Sequence, residues 1–389
     1  LIGEYDGEWI NLGEEGLILY EQGGYGRPVQ PDGRTTANRD ADDKAGKTAC
    51  KGESKSDSKT AVTKTALRLS PEEALYLIGR EKITVKNYTY DELLTVCTEK
   101  SEFLRKFLVY RDIRERGFVI QSGPHDFRVF KRGQKPGTGT SFYTMRVLSE
   151  RDLVVFQKVI EETRTARNMR KQLILAVGDD ENEITYYEVK SVNPPEGVSG
   201  FEFGKVKGKV MGNTVILHVS PESEYEKVLF GTRLDGERLS LSPAEALYLT
   251  DRGILELEED RFDAEPEEKT RNETENGCKG VRPVTREEYF GRVTAADHEL
   301  AYKIKAYSHL RDLKNIPRTA YKFGHHFRVY SGGTQHSELL VHAIPVTESM
   351  PMSVVSRSVR LAHSVRKKML FACVNTDNIE YIEFARVKM

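Results

Sequence analysis

Tryptophan occurs once and cysteine four times in this 389-residue sequence, and its charges almost cancel, leaving a net charge of −1. Each scarcity excludes something. Cys50, Cys97, Cys278 and Cys373 are scattered with no CxxC or other metal-ligand spacing, which predicts free thiols and argues against both a disulfide framework and a zinc centre. No apolar run approaches the roughly 18 residues that a membrane span needs. The opening "LIGEYDGEW" lacks the plan of a signal peptide, so the expectation is a cytoplasmic chain with no membrane partner. A net charge near zero excludes nucleic-acid binding by the field of the whole molecule; any such partner must meet a local basic patch.

What the sequence does have is material for real cores, with 38% hydrophobic residues, and a heavily charged surface, since 31% of all residues are charged. It also has internal repetition. "LRLSPEEALYL" (67–77) returns as "LSLSPAEALYL" (239–249). Both read as helix starts, with Ser70 and Ser242 as N-caps, proline at the first helical position, and Glu73 and Glu245 completing capping boxes. "LYEQGGYGRP" parallels "EYEKVLFGTR" upstream, and "FLRKFLVYRDIRERGFVI" parallels "LAYKIKAYSHLRDLKNIP" downstream. "NMRKQLILAV" (168–177) parallels "SVRKKMLFACV" (364–374), with the join near "NPPEGVSG" (193–200). The expected fold is a mixed α/β tandem duplication, each half a small α/β unit followed by a second α/β domain. The expected boundaries are 1–92, 93–195, 196–288 and 289–389. Residues 31–64 and 259–281 fall outside the repeat and, being polar and low in apolar content, read as surface inserts.

The two copies differ where chemistry can reside. "FRVY" (327–330) ends in Tyr330, whereas its counterpart "FRVF" ends in Phe130, and His336 before a serine is matched by Thr140 before Ser141. The hairpin around Gly332–Gly333 brings strand ends together, with His336 opening the second strand. Farther on, "SVVSRSVRLAHSVRKKM" has apolar residues at 355, 359, 362, 365 and 369, a helical period that puts Arg360, Ser364 and Lys367 on another line of the same helix. Phenol, imidazole and ammonium together point to proton transfer at an anionic centre. Histidine exchanges protons readily near neutrality. A phenol, ordinarily with a pKa of about 10, needs a neighbouring cation to act as a base. Lys367 can supply that cation and stabilise a pentacovalent phosphate. This set suits RNA cleavage by the neighbouring 2′-hydroxyl, with no metal or cofactor. The competing readings are a metal site of His325, His326 and His336, a metal-dependent DNA nuclease, and a non-catalytic RNA-binding subunit.

At these residues the sequence resembles the archaeal tRNA-splicing endonucleases. "YKFGHHFRVYSGG", "HSELLVH" and "VRLAHSVRKKMLFACV" carry the likeness, which runs over essentially the whole chain except the inserts. The resemblance implies restriction-endonuclease-like second domains and a degenerate first copy beside a catalytic second one. It implies Tyr330 as general base, His336 as general acid and Lys367 as transition-state stabiliser, acting on a bulge-helix-bulge in precursor tRNA to leave 2′,3′-cyclic phosphate and 5′-hydroxyl ends. It further implies that Arg360 and Arg386 pinch a flipped bulge base. Two sites are expected from a homodimer, docked through the acidic loop Asp179, Asp180 and Glu181 of the first copy. The lysines of 44–64, with Lys131 and Lys135, are further candidates for RNA contact away from the cut.

Overall fold

The structure, a computed structural model, describes residues 1–29, 66–220, 223–260, 280–332 and 336–389. The first insert, with the lysines of 44–64, lies outside the described residues, as do most of the second insert, Cys50 and Cys278. Cys97 and Cys373 are free, buried thiols.

Both capping boxes form. The Ser70 N–H donates to Glu73 Oε2 (3.0 Å) at the start of helix Pro71–Ile78, and the Ser242 N–H donates to Glu245 Oε2 (2.9 Å) at the start of Pro243–Asp251. Each glutamate is buried and has a second task. Its other oxygen accepts a main-chain N–H, from Gly26 to Glu73 (3.0 Å) and from Gly231 to Glu245 (2.9 Å). Both glycines have positive φ, 71° and 67°, and a Cβ at Gly26 would meet the Arg68 carbonyl at 2.6 Å. Burial raises the Glu73 carboxyl above its ordinary value.

An arginine from the next long helix completes each hub. Arg114, on helix Phe103–Glu115, donates to Tyr110 Oη (2.9 Å) and to the carbonyls of Gly23 and Gly24. Arg311, on Leu300–Asp312, donates to Tyr307 Oη (2.9 Å) and to the carbonyls of Val228 and Leu229. These bonds tie the small leading part of each half to the domain that follows. In each half a single continuous apolar core also runs through both parts.

The sheets repeat in the same order. The leading sheet of the first half runs Arg27–Pro28, Leu67–Leu69, Ile10–Leu12, Ile2–Tyr5, Thr84–Val85. That of the second runs Thr232–Arg233, Arg238–Leu241, Thr214–His218, Val206–Met211, Leu255–Asp260 and adds Val281–Val284 at its edge. In the following domain the order is Ile120–Ser122, Phe127–Phe130, Ser141–Ser149, Gln172–Gly178, Ile184–Val192 in the first half. The second half gives Ile316–Ala320, His325–Tyr330, Leu339–Pro345, Lys368–Val374, Ile379–Val387. The fold is a mixed α/β tandem duplication.

The chain divides into two compact bodies. One comprises residues 1–191 with 349–357 and 384–389, and the other 192–348 with 358–383.

Candidate active site

The strand register determines what meets at one end of the second-half sheet. Strand His325–Tyr330 is antiparallel to Leu339–Pro345, with Val329 opposite Leu339, so its C-terminal Tyr330 lies at the end where the next strand begins. Leu339–Pro345 is parallel to Lys368–Val374, with Leu339 opposite Lys368, so both of these strands start at that same end. The Glu338 N–H donates to the Val329 carbonyl (3.0 Å) and the Lys368 N–H to the Glu338 carbonyl (3.1 Å), extending the alignment one residue beyond the strands. Tyr330, the segment 336–338 and Lys367 therefore share one edge of the sheet. Tyr330 is half-buried and His336 exposed.

Two sequence expectations need correction. His336 does not open a strand; the strand begins at Leu339, and His336 stands three residues before it. Nor does Lys367 share a helix with Arg360 and Ser364. The helix spans Met352–Ser364, burying Met352, Val355, Val359 and Ala362, and stops before the lysine. Its end is a Schellman motif: Lys367 N–H donates to the Ala362 carbonyl (2.8 Å) and Arg366 N–H to the His363 carbonyl (3.0 Å). Arg366 has φ 56°, the left-handed conformation that usually calls for glycine. The first half repeats the device. Lys171 bonds to Ala166 (2.8 Å), Arg170 bonds to Arg167 (2.9 Å), and Arg170 has φ 55°.

Lys367 Nζ donates to the Ser337 carbonyl, which links the lysine to the residue beside His336. Burial depresses its pKa, and the charges of Arg328 and Lys322 lower it further. At the equivalent edge of the first half, Phe130 is fully buried and Thr140 exposed.

The other predicted residues fall apart into used and unused groups. Arg360 on the helix and Arg386 on strand Ile379–Val387 are both exposed, and neither makes a hydrogen bond or ion pair among the described residues. In the acidic loop, Asp179 Oδ1 accepts the N–H groups of Glu181 (3.0 Å) and Glu183 (2.8 Å), so it shapes its own turn. Asp180 pairs with Arg151, and Glu181 is exposed. Lys131 and Lys135 are engaged within the protein: Lys131 Nζ lies 3.7 Å from the centroid of the Phe142 ring, and Lys135 donates to the Glu21 carbonyl.

The metal reading of the histidines loses its geometry. The His326 Nδ1 accepts the Ala343 N–H (3.0 Å), and its Nε2 faces Glu299 at 3.4 Å, so both ring nitrogens are occupied. The ring stacks on His342, which the sequence did not single out, at 4.2 Å between centroids. Among the described residues no three His, Cys, Asp or Glu side chains are grouped to hold a metal. Burial pushes His325, His326 and His342 each down to about 4.

Comparison with known proteins finds the same repetition of two domains. A family model described as tRNA intron endonuclease, catalytic C-terminal domain, matches residues 103–186 and again 300–381. A second, tRNA intron endonuclease, N-terminal domain, matches 10–95 and 206–269. The chain belongs to the tRNA intron endonuclease family. A tRNA-splicing endonuclease of Methanosarcina barkeri is 34% identical over 339 residues, covering 83% of this chain and 91% of that protein. One of Methanococcoides burtonii is 33% identical over 84% of this chain and 91% of its own length, and one of Natronomonas pharaonis 31% over 82% and 90%. The tandem repeat seen in the sheets is thus a duplication of both family domains, and the chain is an endoribonuclease of tRNA intron removal. Among its described residues no helix is long and apolar enough to cross a membrane.

Proposed function

We propose that the second repeat cuts precursor tRNA at the two exon–intron junctions of a bulge-helix-bulge, without a metal ion, by attack of the 2′-hydroxyl on its adjacent phosphodiester. Tyr330, as phenolate, takes the 2′-hydroxyl proton while the 2′-oxygen forms a bond to phosphorus. The bond from phosphorus to the 5′-oxygen breaks, and protonated His336 gives its proton to that leaving oxygen. Lys367 bears on the extra negative charge of the pentacovalent phosphate. The products are a 2′,3′-cyclic phosphate and a 5′-hydroxyl, and exchange with water returns both side chains to their starting states.

The observation that carries this reading is the shared sheet edge of Tyr330, the His336 segment and Lys367. Arg360 and Arg386 each offer an exposed, unpaired guanidinium suited to stacking on an unpaired base. One chain carries one such set, so two symmetric cuts call for a homodimer, with Asp180 and Glu181 of the first repeat as docking charges.

The test is cleavage of a bulge-helix-bulge RNA by the purified chain in excess EDTA, with the product ends identified. Paired cuts leaving cyclic phosphate are expected, with Tyr330→Phe and His336→Ala each slowing the step by about 10²–10⁴-fold. Cleavage only with magnesium, or only after a second protein is added, would replace this reading with a metal nuclease or a structural subunit.

A further inference from the structure

Arg328 stands two residues before Tyr330 on the same strand and on the same half-buried face, about 7 Å along the chain. Its guanidinium carbon lies 5.9 Å from the centroid of the Tyr330 ring. Its Nε is buried without a hydrogen-bond partner, and no carboxylate pairs with the side chain among the described residues. A buried guanidinium nitrogen ordinarily finds an acceptor.

In the first repeat the Nε of the matching Arg128 is likewise buried without a partner, but a terminal nitrogen finds one. Arg128 lies opposite Gln121 across the strand pair and donates to its Oε1 at 2.9 Å. In the second repeat the residue opposite Arg328 is Arg318, which has no acceptor to offer. Arg318 is itself committed elsewhere, to Glu245 (3.2 Å) and the carbonyls of Leu229 and Gly231. The copy with phenylalanine bonds a terminal nitrogen of its arginine across the strand pair, and the copy with tyrosine shows no such bond to Arg328 among the described residues.

We propose that Arg328 binds a non-bridging oxygen of the scissile phosphodiester, as a fourth catalytic residue beside Tyr330, His336 and Lys367. This rests on the reading of that edge as the cleavage site. If Tyr330 takes the 2′-hydroxyl proton, the phosphorus under attack lies within a few ångströms of the phenol oxygen, and hence within reach of the guanidinium. The Arg328 charge also lowers the Lys367 pKa, as a nearby cation does. A bidentate fork matches phosphate oxygens better than a second lysine would.

The experiment compares single-turnover cleavage of a bulge-helix-bulge RNA, at saturating enzyme, carrying oxygen or stereodefined sulfur at the non-bridging positions of the cut. With Arg328→Gln the oxygen substrate is expected to slow by about 10²-fold while RNA affinity changes little. One phosphorothioate isomer should slow the unaltered enzyme but leave Arg328→Gln no slower than it already is. Retained activity within about twofold, or a sulfur effect of full size in the variant, overturns the proposal. If the variant does not fold, arginine-specific glyoxal labelling of the unaltered chain decides: an RNA with a 2′-deoxy sugar at the cut must protect Arg328, and labelling unchanged by it overturns the idea. Tyr330→Phe and Lys367→Ala run in parallel. Full activity in those two sinks the site itself, whatever Arg328 does.

Discussion

The Lys367 ammonium donates to the main-chain carbonyl of Ser337, so the turn that follows the Arg360 helix is fastened to the residue beside His336. The position of Lys367 is therefore set twice, by that contact and by the Schellman turn that its own N–H closes onto Ala362 (2.8 Å). The turn depends on Arg366 at φ 56°, where an L side chain costs about 1 kcal/mol relative to glycine. Arg366→Gly is expected to raise stability by up to that amount and leave the cleavage rate within a few-fold. Arg366→Val, with a branched Cβ at the same angle, should lower both stability and rate. Thermal melts paired with single-turnover rates check this. A loss of stability in the glycine variant would contradict it.

Lys367 titrates below an ordinary lysine because it is partly desolvated and because Arg328 and Lys322 are nearby. A stabilising ammonium must be protonated, so cleavage should fall on the alkaline side at a lower pH than a free lysine would give. Lys322 is exposed, and Lys322→Gln removes one of the depressing charges. The alkaline limb of the pH–rate profile should then move upward while the rate at neutral pH stays nearly constant. A limb that stays in place would show that another group sets it.

Much of the fold was legible because its signals are local. The repeated capping boxes, the glycines of "YGRP" and "FGTR" and the 355–359–362 apolar period all lie within a few residues of what they specify. The misplacement of Lys367 has an equally local cause: the left-handed residue that stops the helix is Arg366, where the recognisable signal would have been glycine. The features missed outright depend on pairing across strands. Arg328 differs from Arg128 in the residue opposite, Arg318 instead of Gln121, and no spacing within one strand reveals that. The His342 stack on His326 joins two strands in the same way.

That histidine stack makes the second half sensitive to acid. His325, His326 and His342 have folded values of about 4, against an ordinary value of about 6.5, because burial disfavours their charged forms. The unfolded chain binds more protons over that interval, so stability is complete above about pH 6.5 and declines toward pH 4. The facing charges partly cancel, since Glu299 lies 3.4 Å from His326 while Lys303 opposes its protonation. His342→Phe should flatten the decline, measured as melting temperature against pH. A slope unchanged in that variant would assign acid sensitivity to other groups.

The buried arginine hub is the place where one substitution should cost most. Arg311 donates to Tyr307 and to two carbonyls, and its guanidinium lies 3.8 Å from the centroid of the Phe230 ring. Arg311→Met keeps the bulk but orphans these acceptors, an expected loss of about 3 kcal/mol. Denaturant unfolding followed by a probe in the second repeat measures it. A loss below 1 kcal/mol would mean that water replaces the guanidinium there.

The acidic loop separates a structural carboxylate from the candidate docking ones. Asp179 holds the N–H groups of Glu181 and Glu183, so Asp179→Ala should cost about 1 kcal/mol of stability and disturb association only through the loop's shape. Asp180 spends its charge on an exposed pair with Arg151, worth little to folding, and Glu181 is exposed. The double change Asp180→Asn and Glu181→Gln therefore leaves the turn intact while removing two negative charges. If these charges dock a second copy, sedimentation should show dimer dissociation strengthened by tenfold or more, with a weaker dependence on salt than in the parent chain. If the dimer persists unchanged at low salt, its interface lies elsewhere, and the loop is only the turn between two strands.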